Sequence, residues 1–171
     1  MKRLFIFEGP DGTGKTTLAK ALATYIDAVY VHHGSYPEVT EDLANVYALS
    51  MMPAALGLRD VVLDRAWYSE VPYGFAYRWG ADRIGEQKFR GLEDLAANCT
   101  EPLVVLCDTS FENVERSFRA RQEAEYLDNT AQLHQVWYWY RTQFRSDLPL
   151  LRIEPFTMLE STAIERILEC A

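Results

Sequence analysis

Nine consecutive residues, Gly9-Pro10-Asp11-Gly12-Thr13-Gly14-Lys15-Thr16-Thr17, hold the densest chemistry of the chain. They satisfy the pattern G-x-x-x-x-G-K-[ST]. Glycines let consecutive backbone N–H groups turn inward around an anion, and a helix starting at Gly14 aims the positive end of its dipole at the same place. Lys15 is then set to bridge the β- and γ-phosphates of a nucleotide, and the Thr16 hydroxyl to hold Mg²⁺. A pattern needs its context. Before it, Leu4-Phe5-Ile6-Phe7 reads as a buried strand; after it, Leu18, Ala21, Leu22, Tyr25 and Ile26 recur at helical spacing. Strand, glycine loop and helix in that order make Gly9, Asp11, Gly12, Thr13, Gly14, Lys15, Thr16 and Thr17 the expected nucleotide contacts.

Two further strand tips carry polar groups. Asp64 follows the apolar run Val61-Val62-Leu63, where a carboxylate reaches Mg²⁺ or its waters from across the loop. Glu8, at the tip of the first strand, joins Thr16 and Asp64 as a candidate metal ligand. Arg65 extends away from the metal toward a second anion, which its planar fork suits. A surface ion pair is the plainer account of Asp64-Arg65, and the loop in the same sheet favours the functional one. Three arginines, Arg116, Arg119 and Arg121, fall within two turns and are followed by Glu123 and Glu125. They read either as an exposed face of paired charges or as a lid that closes cations over a transferring phosphoryl group. Lys15 is the loop's only cation, and an arginine at such a transition state is worth ~10³-fold or more in rate, which favours the lid. His32 and His33 point to opposite sides of an extended segment and make a poor metal pair. His33 is either a core residue or an acceptor contact. Trp137-Tyr138-Trp139-Tyr140 lies at helical spacing and reads as core and dimer surface rather than a base-stacking platform.

The elements that must position these groups alternate. Strands are expected over 2–8, 28–32, 60–64, 103–107 and 150–153. Helices are expected over 14–26, from Thr40-Glu41-Asp42 to a kink or end at Pro53, over 67–78 and 84–98, around Phe111, Val114 and Phe118, from Leu133 to Phe144, and at the C-terminal end. Alternation implies a parallel sheet covered on both faces, with ligands beyond the carboxyl ends of its strands. The 171 residues suit one domain, and 49% apolar with 25% charged residues suits a soluble globular protein. A formal charge of -8 argues against a broad nucleic-acid surface. Three cysteines without a CxxC pair read as reduced, mostly buried thiols of a cytoplasmic protein. No apolar run reaches membrane-spanning length.

With these residues in hand, the chain resembles the thymidylate kinase group of P-loop kinases. Phe7-Glu8-Gly9-Pro10-Asp11-Gly12-Thr13-Gly14-Lys15-Thr16-Thr17 is similar to the opening of that family. Asp64-Arg65 followed by Tyr68-Ser69 and Tyr73 resembles its DR motif and the next helix, and Arg119-Ala120-Arg121 with the acids after it resembles its lid. The resemblance implies a three-layer P-loop NTPase fold, α/β, with a five-stranded parallel sheet flanked by helices. It implies a single kinase domain over 1–171 with its lid at about 116–128. It also implies transfer of the γ-phosphoryl of ATP, with Mg²⁺, to a pyrimidine deoxynucleoside monophosphate. Asp11 would contact the acceptor's 3′-hydroxyl and Arg65 its phosphate. Ser69, Tyr73 and Tyr77 would line the sugar and base pocket, with Arg78 adding a contact. Arg116 and Pro155, the latter within Glu154-Pro155-Phe156, would lie near the donor nucleotide, and a homodimer is implied.

The sequence departs from the family after the second strand, where His32-His33-Gly34-Ser35-Tyr36-Pro37 stands in place of an arginine-bearing loop. That leaves the acceptor open. A monophosphate needs cations and no base, whereas a hydroxyl needs a general base. Deoxynucleoside kinases keep an acid here; the nearest acid in this chain is Glu38, past Pro37. A monophosphate is therefore favoured over a deoxynucleoside or a hydroxymethylpyrimidine, free or within DNA, for which Asp11 or Asp64 would be the base. A nucleotide-hydrolysing switch or assembly ATPase is the reading from another class.

Overall fold

The computed structural model describes residues 1–34, 42–120 and 130–171. Thr40, Glu41, Arg121 and the rest of the expected lid beyond Ala120 lie outside the described residues, as do Glu123 and Glu125. The strands are Arg3–Glu8 (β1), Val29–His32 (β2), Val61–Asp64 (β3), Glu101–Cys107 (β4) and Leu150–Ile153 (β5). The helices are Lys15–Tyr25 (α1), Leu43–Ala55 (α2), Glu70–Tyr77 (α3), Glu86–Cys99 (α4), Phe111–Arg119 (α5), Thr130–Thr142 (α6) and Glu160–Glu169 (α7). All strands run parallel in the order β2-β3-β1-β4-β5, so β1 and its glycine loop sit at the middle of the sheet.

Side-chain alternation divides the core in two. Leu4, Ile6, Val61, Leu63, Val104 and Leu106 pack against Tyr47 and Met51 of α2, Tyr73 of α3, Leu92 of α4 and Leu133 and Val136 of α6. Phe5, Phe7, Val62, Leu103 and Val105 pack against Leu18 and Leu22 of α1 and Ile164 and Ile167 of α7. Both faces are covered, which is why the central strands read as continuous apolar runs. Each fully buried phenylalanine or leucine contributes about 1.5–3 kcal/mol to this arrangement.

Three elements differ from expectation. Asp42 caps α2, its side chain accepting from the Ala44 N–H at 3.0 Å, and the helix passes through Pro53 to end two residues later. Pro53 has no N–H to give the Leu49 carbonyl and its ring crowds that turn, yet the helix continues past it. The expected helix over 67–78 divides into a 3-10 turn at Trp67–Ser69 and then α3. Helix α6 ends at Thr142, and Phe144 fills the core from the segment beyond it. The three cysteines are unpaired, but only Cys107 is buried; Cys170 is exposed. Among the described residues, no helix is long and apolar enough to cross a membrane.

Candidate active site

The glycine loop is shaped by close approach. At Gly9, φ is +139° and an added Cβ would land on the Cys107 carbonyl oxygen. At Gly12, φ is +84° and a Cβ would lie 2.8 Å from the Val114 carbonyl oxygen, so α5 rests directly on the loop. L-residues with side chains are strained at such angles. Gly14 stands left-handed at the N-cap of α1, with Pro155 against it. Thr13 is buried and donates its hydroxyl to the Pro10 carbonyl at 3.0 Å, which braces the turn. Thr16 is half-buried at the start of α1, and Thr17 is exposed. Lys15 is 4% exposed. Burial, then the charge of Arg65, pull its pKa down, while Asp11, Asp64 and Cys107 oppose them. A buried ammonium in a glycine loop is suited to an anion that replaces its lost hydration.

Asp64 is fully buried on the α1 side of the sheet. Its Oδ2 accepts from Tyr30 Oη and lies 2.8 Å from His32 Nδ1, while Oδ1 is buried and accepts no hydrogen bond from the described residues. Burial pushes its pKa up. The His32 hydrogen bond, Lys15, Thr16 and Tyr30 outweigh that and hold it well below the usual carboxylate range. An ionised oxygen with no donor, next to the Thr16 hydroxyl, fits a hard cation that takes oxygen ligands and keeps several waters. Asp64 and Thr16 would therefore hold Mg²⁺. Among the described residues, no group of three or more His, Cys, Asp or Glu side chains could hold a metal by itself.

Glu8 does not fit the same role. Its Oε1 accepts from the Ala66 N–H at 2.8 Å, and its Oε2 accepts from the Ser69 hydroxyl at 2.8 Å and the Tyr140 hydroxyl at 2.7 Å. With three donors on it and no exposure, it has no oxygen to offer a metal. The physical reason is parity. Glu8 follows Leu4 and Ile6 onto the α3 and α6 face, whereas Asp64 follows Val62 onto the α1 face. Burial raises the Glu8 pKa, against the pull of Tyr140, Arg65, Ser69 and Ala66.

Arg65 turns toward the loop. Its backbone is left-handed, φ +72°, with its N–H donating to the Phe7 carbonyl at 3.0 Å. An arginine there is strained, and strain of this kind accumulates where function fixes geometry. Nη1 donates to the Gly9 carbonyl at 3.4 Å and to Ser69 Oγ at 3.3 Å, and Nη2 donates to Asp11 Oδ1. Tyr73 donates to Asp11 Oδ2 at 2.5 Å, and its ring lies 4.7 Å below the Arg65 guanidinium. Asp11, Ser69 and Tyr73 are thus brought together around Arg65.

Other expected contacts lie elsewhere. Arg78 donates to the Glu70 carbonyl at 2.8 Å and to Glu70 Oε2 at 3.0 Å. Arg83 pairs with the same carboxylate from Nε at 2.8 Å, and Tyr47 donates to it at 3.0 Å. Arg78 is therefore a fastening of the segment after α3 rather than an open ligand contact. Tyr77 is half-buried against the core. His33 is 3% exposed with its ring edge on Tyr47 at 4.8 Å, and burial first, then His32, lower its pKa to about 4. It packs as a buried histidine against α2; the two histidines do face opposite ways. Val114 to Phe118 of α5 cover Gly12, but Arg116 donates to Asn113 Oδ1 and Arg119 to Glu115 Oε1 at 2.7 Å, on the outer side. A groove of about 590 Å³ opens at the ends of β4 and β5, lined by Asp108, Thr109, Arg141, Arg152, Glu154 and Thr157 among others. Glu154 and Thr157 flank Pro155, so it borders the glycine loop. Sequence reasoning missed Glu70, Arg83 and Tyr140. For Tyr140 the signal was present, a buried aromatic with a hydroxyl that needs a partner.

The profile of the family described as "ATPase family associated with various cellular activities (AAA)" matches residues 5–69, from β1 through Ser69. No curated protein matches the chain by sequence. Solved structures share the fold. The YorR protein of Bacillus subtilis, solved in complex with phosphorylated GDP, superposes at TM-score 0.76 with 20% identity, over 97% of this chain and 94% of that one. A sugar kinase from Janibacter sp. HTCC2649 gives 0.62 and 16%, over 99% and 94%. A deoxyadenosine kinase from M. mycoides, with products dCMP and dCDP, gives 0.54 and 13%, over 99% and 97%. The five-stranded parallel sheet flanked by helices is thus the α/β fold of P-loop kinases.

Proposed function

We propose that residues 1–171 form one kinase domain that transfers the γ-phosphoryl of ATP to a pyrimidine deoxynucleoside monophosphate. The observation that carries this reading is Arg65 held within hydrogen-bonding reach of both Gly9 and Asp11 of the glycine loop. A second anion site thereby stands one strand away from the first. Lys15 and the backbone N–H groups of the glycine loop hold the donor phosphates, and the groove beside Pro155 takes the nucleoside end of ATP. Thr16 and Asp64 hold Mg²⁺, which when bound neutralises charge on the phosphates. Arg65 exchanges Asp11 for the acceptor phosphate; the freed Asp11 receives the sugar hydroxyl, with Ser69 and Tyr73 completing that wall. Arg116, Arg119 and Arg121 supply the lid cations, Arg119 by leaving Glu115. The matches to YorR and the deoxyadenosine kinase support a nucleotide-handling site on this fold, and the motif resemblance supports the pyrimidine monophosphate. The same resemblance supports a homodimer, which sedimentation tests.

A hydroxyl acceptor is the second reading, favoured by one observation: Asp11 already closes the fork of Arg65 and offers a carboxylate as base. The experiment is an acceptor panel with ATP and Mg²⁺, containing deoxynucleosides, deoxynucleoside monophosphates, and DNA bearing hydroxymethyluracil. A pyrimidine monophosphate converted to its diphosphate supports the first reading. A phosphorylated nucleoside or DNA strand replaces it with the second. ADP formed equally with and without every acceptor overturns both in favour of a hydrolysing ATPase.

A further inference from the structure

Glu8 is a fully buried carboxylate at the tip of the central strand, and the transfer described above gives it no task. Its two oxygens collect three donors from three separate places: the Ala66 N–H, the Ser69 hydroxyl and the Tyr140 hydroxyl. While Glu8 is ionised, the proton count fixes the direction of each bond. Ser69 and Tyr140 have one hydroxyl proton apiece, and both point at Oε2. The 3.0 Å contact between the two hydroxyl oxygens then has no proton to share. The lone pairs of Ser69 Oγ are left to face outward, and Arg65 Nη1 donates to them at 3.3 Å. The Ala66 N–H, the third donor, belongs to the residue directly after Arg65, so the same carboxylate also holds the left-handed backbone turn.

We infer that Glu8 is the positioning residue for Arg65, setting its guanidinium through Ser69 and the Ala66 amide, with Tyr140 tying α6 to the same carboxylate. Glu8 touches neither nucleotide nor metal in this arrangement. The consequence is a mechanical link, since Tyr140, near the C-terminal end of α6, is fastened to the group that orients Arg65. The inference rests on the reading that Arg65 grips the acceptor, and its test keeps the two separable.

The guanidinium Nε–H resonance of Arg65, assigned by its loss in Arg65→Lys, reports the positioning without any turnover. It is expected to shift or broaden in Glu8→Gln and in Ser69→Ala and to stay in place in Thr17→Ala. In the kinetic arm, with the acceptor found by the panel, Glu8→Gln raises the acceptor KM by about tenfold, while the ATP KM and the Mg²⁺ activation midpoint move less than about twofold. Tyr140→Phe, which keeps the ring in the core, moves the acceptor KM the same way by about threefold. Glu8→Gln added to Arg65→Ala costs nothing more, because the two act on one contact. An unshifted Arg65 resonance in Glu8→Gln overturns the inference whatever the enzyme does. So does a shifted Mg²⁺ midpoint with an unchanged acceptor KM, which would return Glu8 to the metal. A shifted resonance in a protein that phosphorylates nothing on the panel upholds the positioning and removes the function assigned to Arg65. Should Glu8→Gln not fold, the Arg65 resonance and acceptor KM of Tyr140→Phe decide alone, and no change in either overturns the link.

Discussion

The two halves of the candidate site are built from different materials. The donor half is main chain. Its shape comes from glycines pressed against the Cys107 carbonyl and against α5, and one short segment supplies nearly all of it. The acceptor half is side chain. Arg65, Asp11, Ser69 and Tyr73 come from the tips of β1 and β3 and from the start of α3, and they hold one another by hydrogen bonds. Main-chain amides cannot be exchanged by mutation, whereas an acceptor wall can be altered one side chain at a time. In the proposed reading, the first half fixes the reaction and the second is free to set the substrate.

That contrast can be broken in two places, and two smaller effects lie outside it. The largest effect is expected from Gly12→Ala, because its Cβ would meet the Val114 carbonyl oxygen at 2.8 Å and the backbone there is left-handed. ATP binding, followed by calorimetry, should fall below detection, with Lys15→Ala losing about 10³-fold in kcat through removal of one phosphate cation. Retained ATP affinity in Gly12→Ala would show that the loop tolerates what the geometry forbids. Next, Arg65→Ala is expected to raise the acceptor KM by about 10²-fold with the ATP KM nearly constant, the value of a charge-assisted contact. Equal loss on both substrates would merge the two halves into one.

A smaller effect concerns pH. His33 has its pKa lowered to about 4, so between its ordinary value near 6.5 and 4 the unfolded chain binds a proton that the native one refuses. Stability should therefore fall with pH across that window, by up to about 3 kcal/mol from this group. Urea midpoints at pH 7 and pH 5 measure it, and the drop should shrink in His33→Gln; an identical drop would place the acid sensitivity elsewhere. The smallest effect is kinetic and touches neither half. Burial pushes the Cys107 thiol up to about 12, while Cys170 is exposed. A thiol reagent at pH 8 should label Cys170 at once and Cys107 only on unfolding. Labelling of Cys107 in the native state would mean that β4 opens beside the glycine loop.

The sequence was informative where a residue's task depends on its near neighbours. The glycine loop, the apolar strands, the helix starts and the Asp64-Arg65 pair all have local causes, and the sheet with β1 at its middle follows from them. It was silent where the cause is a meeting of distant segments. Glu8 reads as a metal ligand because a carboxylate beside a phosphate loop usually meets one. Only the strand parity and Tyr140, 132 positions away, show what it faces. Arg78 is similar: nothing nearby in the chain signals that Glu70 gathers both it and Arg83. His33 was left between core and ligand by its sequence, and only the fold shows its ring set against Tyr47.

Arg65 donates its backbone N–H to Phe7, on the strand that bears the glycine loop, and its side chain to Gly9, where that loop begins. In the kinase reading, donor and acceptor are thus spaced by the repeat of the sheet itself, about 4.8 Å from one strand to its neighbour. Such a ruler does not stretch. A larger or smaller acceptor has to be accommodated by the helices above it, and the gap the phosphoryl group crosses stays the same whichever molecule receives it.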